Sequence, residues 1–355
     1  MQPTITRLEE LLDAKPTPEE VSKIEAYRTD LCDLLAKEGP DQVKEFLEGL
    51  DRTLAGTLLH RAIFAEKALE PAPEGEVFWY TSGMFGPFYI NTHFLAGGAT
   101  KAKAILQGLD GLEGTDKDGQ KDILAAFMEA IRALYHEDEV YRLVIHCLAQ
   151  EALAQKKQAD YTLISGGARR DYFFSFLVGV LLDLPQLFIL KDQSVLLWHR
   201  EAWLPMADLE GMVHQEGVQG PVQALHVADL ITQASSFFRA WIPALKDQGI
   251  EMKQALAVVD RHQGGLDKLA EAGVDAKVLL QVNQAFFDQA VAGGQMSAGQ
   301  AALSLTFLED PVAYERDFLR LHPSYLKEAK ERDAKTKERV ERFLQDYGAS
   351  VGLVL

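Results

Sequence analysis

A predicted strand that ends in a carboxylate and continues into hydroxyl residues is the most informative segment of this chain. Residues 224–228 (ALHVA) form an apolar run, Asp229 follows it, and residues 232–236 (TQASS) precede a helix that is predicted to begin near Ser236. Backbone N–H groups and hydroxyls at such a helix start can hold a phosphate. Asp229 would lie at the carboxyl end of the strand, where open α/β sheets bind ligands. The alternative is an ordinary strand whose following hydroxyls cap the next helix.

Two other segments place positive charge beside glycines. Residues 165–170 (SGGARR) end in Arg169 and Arg170, which suit a pyrophosphate, although a solvated pair of arginines is the simpler alternative. Residues 258–265 (VVDRHQGG) form another strand end, in which the Arg261 guanidinium could pair bidentately with a carboxylate. A surface salt bridge is the alternative for Arg261.

Strands and helices alternate in the part of the chain that must position these residues. This alternation predicts an α/β fold of parallel βαβ units with helices covering the sheet. The predicted strands are 161–165, 186–190, 223–228, 253–259 and 276–280, and the predicted helices are 171–182, 235–248 and 265–272.

The two ends of the chain have helical patterns instead. We predict a helical N-terminal extension at 1–75, an α/β core at 76–285 with a helical insert at about 108–158, and a helical C-terminal extension at 286–355. Within the core, the aromatic runs 77–81 and 87–90 are bracketed by glycines, which suggests a hairpin.

Taken together, these segments resemble the type I phosphoribosyltransferases, with orotate phosphoribosyltransferase as the most similar member. Residues 224–236 resemble the family's phosphoribosyl-diphosphate motif, and 258–265 resemble its VVDR-x-QGG strand end. Ser82-Gly83 with 87–91 (PFYIN) resembles the orotate loop KSG…SPYFFN, and 165–170 takes the place of the first phosphate-contacting loop. The four segments occur in the family's order and span roughly residues 75–285.

The resemblance implies a phosphoribosyltransferase-type open, mainly parallel sheet flanked by helices, with helical N- and C-terminal additions. It implies a catalytic role for Asp229 and a base site at Tyr89, Thr232 and Arg261. It implies Mg²⁺, carried by phosphoribosyl diphosphate, as the cofactor, and no metal site built from the protein alone. The residues that it implies for binding phosphoribosyl diphosphate are Arg169, Arg170, Lys191, Asp229, Thr232, Ala234, Ser235 and Ser236.

Several positions depart from the family's pattern. Ala228 replaces the first of two adjacent acids, Ala234 replaces the glycine of the phosphate loop, and Thr81 replaces a lysine of the orotate loop. The stretch 191–203, which follows Leu190 in place of an arginine, lacks the Lys-x-His-Gly pattern of the mobile catalytic loop. Its apolar part, 195–198, could pack as an added strand or fill the site. Because one missing electrostatic partner costs about 10²–10³ in rate, we expect weak or absent turnover.

Composition narrows the classes of partner. The chain has 355 residues, a net charge of −17 and two cysteines. This acidity argues against nucleic acid and anionic membranes as partners, and two cysteines do not make a disulfide framework. The N-terminus has no signal-peptide pattern, so we expect a cytoplasmic protein, and the helical additions suggest a homodimer.

Two functional hypotheses follow. The first is an orotate phosphoribosyltransferase-like enzyme that transfers a phosphoribosyl group between phosphoribosyl diphosphate and a pyrimidine-type base such as orotate, with weakened activity. The second is a non-catalytic regulatory or assembly module that binds a nucleotide or phosphometabolite on the same fold.

Overall fold

A computed structural model describes residues 6–12, 15–80, 82–157, 159–215 and 221–352. By its internal contacts the chain divides into two compact units, one formed by Met1–Ala68 and Thr92–Val282 and the other by Leu69–Asn91 and Asn283–Leu355. The three-part division of the sequence stays a prediction, and the contacts group the chain differently. Within the described residues, no helix has both the length and the apolar character that crossing a bilayer requires.

The first unit contains the longer helices and the main sheet. Its helices are α1 (Arg7–Glu10), α2 (Pro18–Tyr27), α3 (Leu31–Glu38), α4 (Pro40–Glu48), α5 (Arg52–Ala65), α6 (Gly98–Gly108), α7 (Lys117–Glu137), α8 (Glu139–Lys156), α9 (Tyr172–Leu181), α10 (Leu209–Gln215), α11 (Ile242–Asp247) and α12 (Gly265–Glu271). The second unit contains α13 (Gln284–Ala292), α14 (Ala298–Glu309), α15 (Pro311–Leu321), α16 (Tyr325–Arg332) and α17 (Ala334–Asp346).

The strands divide between the units in the same way. The second unit has β1 (Leu69–Pro71), β2 (Phe78–Trp79), β3 (Phe85–Gly86) and β4 (Phe88–Ile90), and the first unit has β5 (Leu163–Gly167), β6 (Gln186–Ile189), β7 (Val195–His199), β8 (Ala202–Leu204), β9 (Val222–Ile231), β10 (Ile250–Asp260) and β11 (Asp275–Gln281). A single π-helical turn, Phe237–Trp241, leads into α11.

The main sheet has the order β11-β10-β9-β5-β6-β7-β8. The five strands from β11 to β6 are parallel, and β7 and β8 continue the sheet antiparallel. The predicted α/β fold with an open, mainly parallel sheet flanked by helices is therefore confirmed. Residues 195–198 pack as an added strand, which was one of the two alternatives for that stretch.

The core of the first unit forms around α8. This helix is buried on every face and contacts α4, α5, α9 and β10. Its buried Gln150 donates hydrogen bonds to the carbonyl oxygens of Leu47 and Leu50, so α8 links the N-terminal helices to the sheet. At the start of α2, Thr17 and Glu20 form a capping box and Pro18 takes the first helical position.

The predicted pairing of residues 77–81 with 87–90 is wrong. Instead β2 pairs with β3, and β4 pairs with β1, both antiparallel. Gly83 has φ = +94°, which permits the tight turn between Trp79 and Phe85 that joins β2 to β3. The rings of Trp79 and Phe85 pack against Tyr325 and Phe343, so in the second unit this hairpin is covered by the C-terminal helices.

A buried carboxyl group lies beneath this hairpin. Glu315 of α15 has no exposed surface, and its Oε1 accepts a hydrogen bond from the Phe85 N–H at 2.9 Å. Among the residues that the structure describes, its Oε2 has no hydrogen-bond partner. Burial raises the pKa of Glu315 to about 7, although the bond from Phe85 lowers it. The folded state therefore favours the protonated acid.

We expect Glu315→Gln to reduce the pH dependence of stability. Because the pKa of Glu315 is raised on folding, its contribution is fully present below about pH 4.5 and is lost as the pH rises through 7. The unfolding free energy of the wild-type chain should fall between pH 4.5 and 8 by on the order of 3 kcal/mol more than that of the variant. Guanidinium unfolding across this range measures the difference.

Glu309→Gln at the exposed end of α14 is the matched control and should leave the pH profile unchanged. Parallel profiles for the wild-type chain and Glu315→Gln would contradict the assignment.

Candidate functional site

The crevice between β5 and β9 is where the strand order reverses. The chain passes from β5 through α9 to β6 on one side, and from β9 through α11 to β10 on the other. Right-handed crossovers in opposite directions place these two helices on opposite faces, so the loops that follow β5 and β9 diverge here. Ligands of open α/β sheets bind at such a point, outside the carboxyl ends of the strands. The 165–170 and 229–236 segments both lie there.

The two glycines at the end of β5, Gly166 and Gly167, are required by packing. A Cβ on Gly166 would lie 2.2 Å from the Ser175 Oγ, and one on Gly167 would lie 2.0 Å from the Trp241 Nε1. Neither contact is possible without moving α9 or the π-helical turn. The glycines therefore set how closely both helices approach β5, whatever they contribute to a ligand.

Asp229 shares its environment with a second acid, Asp171. Asp171 Oδ1 accepts a hydrogen bond from the Asp229 N–H at 2.9 Å, and Asp171 Oδ2 accepts one from the Gly167 N–H at 3.0 Å. The Thr92 hydroxyl donates to Asp229 Oδ2 at 3.3 Å. Asp171 and Asp229 are 2% and 8% exposed.

Both acids are easier to protonate than usual. Burial raises the pKa of each to about 7, and the Asp171 charge raises that of Asp229 further, while the Arg170 charge lowers the pKa of both. Two like charges so close in a buried site favour the retention of a proton between them. Near neutral pH, the pair is therefore only partly ionised.

A buried histidine lies on the other side of Asp171. The His226 Nδ1 is 3.0 Å from the Ser165 Oγ, and its Nε2 is 3.5 Å from Asp171 Oδ2. Burial lowers the pKa of His226 to about 3, and its ring stacks on Trp241 with centroids 4.5 Å apart. Ser165 and His226 have no exposed surface, so this serine–histidine–aspartate arrangement is structural and does not present a nucleophile to solvent.

The predicted phosphate loop after β9 keeps a glycine-like backbone at its centre. Ala234 has φ = +54°, in the left-handed region that glycine favours, and its side chain is buried. Thr232 is half-buried, whereas Ser235 and Ser236 are exposed and available to a ligand. Behind the loop, a Cβ on Gly265 would lie 2.7 Å from the Thr232 carbonyl oxygen and 3.2 Å from the Ala234 nitrogen.

Two of the predicted pyrophosphate residues, Arg169 and Lys191, line one cavity of about 490 Å³. Each forms an ion pair with an acid of the segment between α6 and α7: Arg169 with Asp110 and Lys191 with Glu113. Within the described residues, the cavity lining includes neither Asp229 nor the 232–236 loop. The cavity therefore presents cations that are already neutralised by the chain's own carboxylates.

Arg170 and Arg261 occupy different places. Arg170 makes no ion pair within the described part of the chain, and its charge acts on Asp171, Asp229 and the buried His93. Arg261 follows β10. Its backbone N–H donates a hydrogen bond to the Ile231 carbonyl oxygen at 2.8 Å, so Arg261 lies beside the end of β9.

Tyr89 belongs to the second unit. It is half-buried on β4, with ring centroids 5.8 Å from Phe78 and 5.9 Å from Tyr80. Thr81, the departure in the orotate-like segment, lies outside the described residues. The roles of Tyr89 and of the other predicted site residues stay predictions.

The stretch at the position of the mobile loop is part of the sheet. Trp198 of β7 faces Trp203 of β8, is buried, and packs on Phe176 with centroids 5.3 Å apart. Arg200, in the turn, pairs with Asp183 at 2.7 Å. A hairpin whose two strands are paired within the sheet is not free to fold over a bound diphosphate.

Sequence reasoning missed three acids, Asp171, Asp110 and Glu113. Asp171 directly follows Arg170, and its position at a helix start reads as a cap; its contact with Asp229 spans 58 residues, and no spacing pattern signals it. Asp110 and Glu113 lie in a segment rich in Gly and Asp, whose composition indicates only a loop.

Comparison with known proteins supports the family resemblance over part of the chain. No family model matches. The chain is 34% identical over 58 residues to a protein from Thermoplasma acidophilum, covering 16% of this chain and 33% of that protein. It is 30% identical over 101 residues to one from Chlamydia caviae, covering 28% of this chain and 48% of that protein. Both relatives are orotate phosphoribosyltransferases. The resemblance is thereby confirmed, although the matches span a third to about half of the relatives' lengths.

Solved structures of the same class are similar to the chain at low identity. A structure of Leishmania donovani UMP synthase has a TM-score of 0.46 at 14% identity and covers 78% of this chain and 46% of that one. Orotate phosphoribosyltransferase from Aeropyrum pernix has a TM-score of 0.37 at 17% identity and covers 65% of this chain and 98% of that one.

We expect Gly265→Ala to displace the phosphate loop. The new methyl group would press on the Thr232 carbonyl oxygen and the Ala234 nitrogen, which belong to the backbone and cannot rotate away. Overpacking of this kind costs about 1–3 kcal/mol. Urea unfolding would measure the loss, and amide exchange would show faster exchange within residues 231–236.

Gly211→Ala is the matched control, because a Cβ there meets no atom within 4 Å. Equal stability and equal exchange in both variants would show that Gly265 does not support the loop.

Proposed function

We propose that this chain is an orotate phosphoribosyltransferase-like protein that binds phosphoribosyl diphosphate at the crevice between β5 and β9. The observation that carries the proposal is the meeting of two segments at this crevice: the 165–170 loop with its arginines, and Asp229 with the 232–236 loop. Each resembles a different part of the same family's ligand site, and the sheet brings them to adjacent strand ends.

Each segment suits one part of that ligand. The exposed hydroxyls of Ser235 and Ser236, with Thr232 and the backbone at Ala234, would hold the 5′-phosphate at the start of the helical turn. Asp229 would accept hydrogen bonds from the ribose hydroxyls. The diphosphate would bind Arg169, Arg170 and Lys191. In this proposal the base, orotate or a similar carboxylated ring, is recognised by Thr232 and Arg261, and the role of Tyr89, which belongs to the second unit, stays a prediction.

Mg²⁺ fits this arrangement only as a metal that arrives with the ligand. Among the described residues there is no group of three or more His, Cys, Asp or Glu side chains that could hold an ion. Mg²⁺ commonly binds through one or two carboxylates, substrate phosphates and water. Asp229 is the carboxylate at this crevice that could contribute, and the ion would neutralise charge on the leaving diphosphate.

Weak transfer activity is part of the proposal. Asp229 is partly protonated near neutral pH. Arg169 and Lys191, which would bind the diphosphate, form ion pairs with acids of the chain. The stretch at the position of the mobile loop forms the β7–β8 hairpin of the sheet. Each of these removes electrostatic stabilisation from the transfer step. The β7–β8 hairpin specifically favours a second candidate, a non-catalytic module that binds a nucleotide or phosphometabolite. Assembly as a homodimer and a cytoplasmic location stay predictions.

We expect phosphoribosyl diphosphate with Mg²⁺ to stabilise the chain. At ten times the dissociation constant, a ligand that binds only the folded state adds about 1.4 kcal/mol, which raises the melting temperature by roughly 3 °C. Asp229→Asn should remove most of this shift, because the neutral amide is a weaker acceptor for ribose hydroxyls. A thermal-shift series in ligand concentration measures both effects.

Asp118→Asn, at an exposed position on α7, controls for the loss of one negative charge. Orotidine monophosphate absorbance, followed with added pyrophosphate, separates the candidates: its loss supports transfer, and binding without turnover supports the non-catalytic module. If neither phosphoribosyl diphosphate nor mononucleotides at millimolar concentration shift the melting temperature, the proposal is wrong.

We expect substitution of Asp110 and Glu113, the acids that pair with Arg169 and Lys191, to tighten the binding of pyrophosphate. In the double variant Asp110→Asn/Glu113→Gln, Arg169 and Lys191 would no longer be neutralised by the chain. Each exposed ion pair is worth up to about 1 kcal/mol, so the combined gain in affinity is about tenfold. Titration calorimetry with inorganic pyrophosphate measures it.

The double variant Asp118→Asn/Glu129→Gln removes the same number of charges from exposed positions on α7 and is the matched control. Equal tightening in both double variants would indicate a general charge effect instead of release of Arg169 and Lys191.

A further inference from the structure

A second carboxyl group lies beside Asp229 although the sequence lacks one next to it. Asp171 comes from the start of α9, at the end of the loop that follows β5, and its Oδ1 accepts a hydrogen bond from the Asp229 backbone N–H at 2.9 Å. The acid that is absent at position 228 is thus present in space, supplied by a different loop.

The environment of Ala228 explains why an acid is not tolerated there. Its side chain has no exposed surface and packs in an apolar cluster that includes Ala224, Ala257 and Phe237. A carboxylate at this position would be desolvated without a partner, which is among the most costly changes in a protein core. Asp229 is the next residue along the strand and points to the opposite face, towards Asp171.

Asp171 also binds the backbone of its own segment, at the end of β5. Its Oδ2 accepts from the Gly167 N–H at 3.0 Å while its Oδ1 accepts from the Asp229 N–H. One buried side chain therefore joins the segment that would bind the diphosphate to the segment that would bind the ribose. If this link were broken, the two loops could move independently.

We propose that Asp171 is a positioning residue that holds Asp229 and the Gly167–Arg170 loop in register for the ligand. The inference rests on the proposed function, since it requires a ligand that binds Asp229. It adds a residue that the resemblance does not contain.

Titration calorimetry with phosphoribosyl diphosphate and Mg²⁺ measures the affinity of the wild-type chain, Asp171→Ala and Asp171→Asn. Asp171→Ala removes both backbone contacts, so its affinity should fall about tenfold. Asp171→Asn keeps one oxygen that can accept a hydrogen bond from the Asp229 N–H, so it should restore part of this loss. Asp118→Asn, at an exposed position on α7, should match the wild-type chain.

Amide exchange tests the positioning role directly. In Asp171→Ala the amides of residues 167–171 and 229–236 should exchange faster than in the wild-type chain, and Asp171→Asn should be intermediate. Unchanged exchange in Asp171→Ala, or an equal loss of affinity in Asp171→Ala and Asp171→Asn, overturns the positioning role. Absence of any binding by the wild-type chain overturns the proposed function, and amide exchange then decides the positioning role alone.

Discussion

The two hydrogen bonds that the Asp171 carboxyl group accepts from the backbone hold the centre of this molecule together. They join the ends of β5 and β9 at the point where the strand order reverses. A carboxyl group that is 2% exposed costs free energy to bury, and these bonds offset part of that cost. The close packing of Gly166 against Ser175 and of Gly167 against Trp241 depends on the same loop position.

The charges around the crevice are balanced by the chain itself. Burial raises the pKa of Asp171 and Asp229, so both are only partly ionised near neutral pH. Arg169 and Lys191 form ion pairs with acids from the segment between α6 and α7. The stretch at the position of the mobile loop is paired within the sheet. An anionic ligand must exchange with these internal partners, so binding energy is spent on displacing them. This suits a protein that binds and responds to its ligand better than one that turns it over rapidly.

Prediction from sequence succeeded where local patterns decide the structure. The strands and helices from 161 to 281 lie close to their predicted positions, because alternating apolar runs and turn residues specify them locally. Prediction failed for the pairing of 77–81 with 87–90. Glycine positions mark turns but not partners, and β4 pairs with β1 while the rings of Trp79 and Phe85 pack against helices more than 200 residues away in the chain.

The sequence by itself determined the order of the motifs, the α/β class and the loss of the acid at position 228, since each of these can be read from adjacent residues. Only the tertiary structure decided that Asp171 supplies a carboxyl group beside Asp229, that Asp110 and Glu113 neutralise two of the candidate cations, and that residues 195–204 extend the sheet. The physical reason is the distance along the chain over which each kind of interaction acts. Periodicity and turn chemistry act over a few residues, whereas the partners of a buried or charged group are set by which distant segments the sheet brings together.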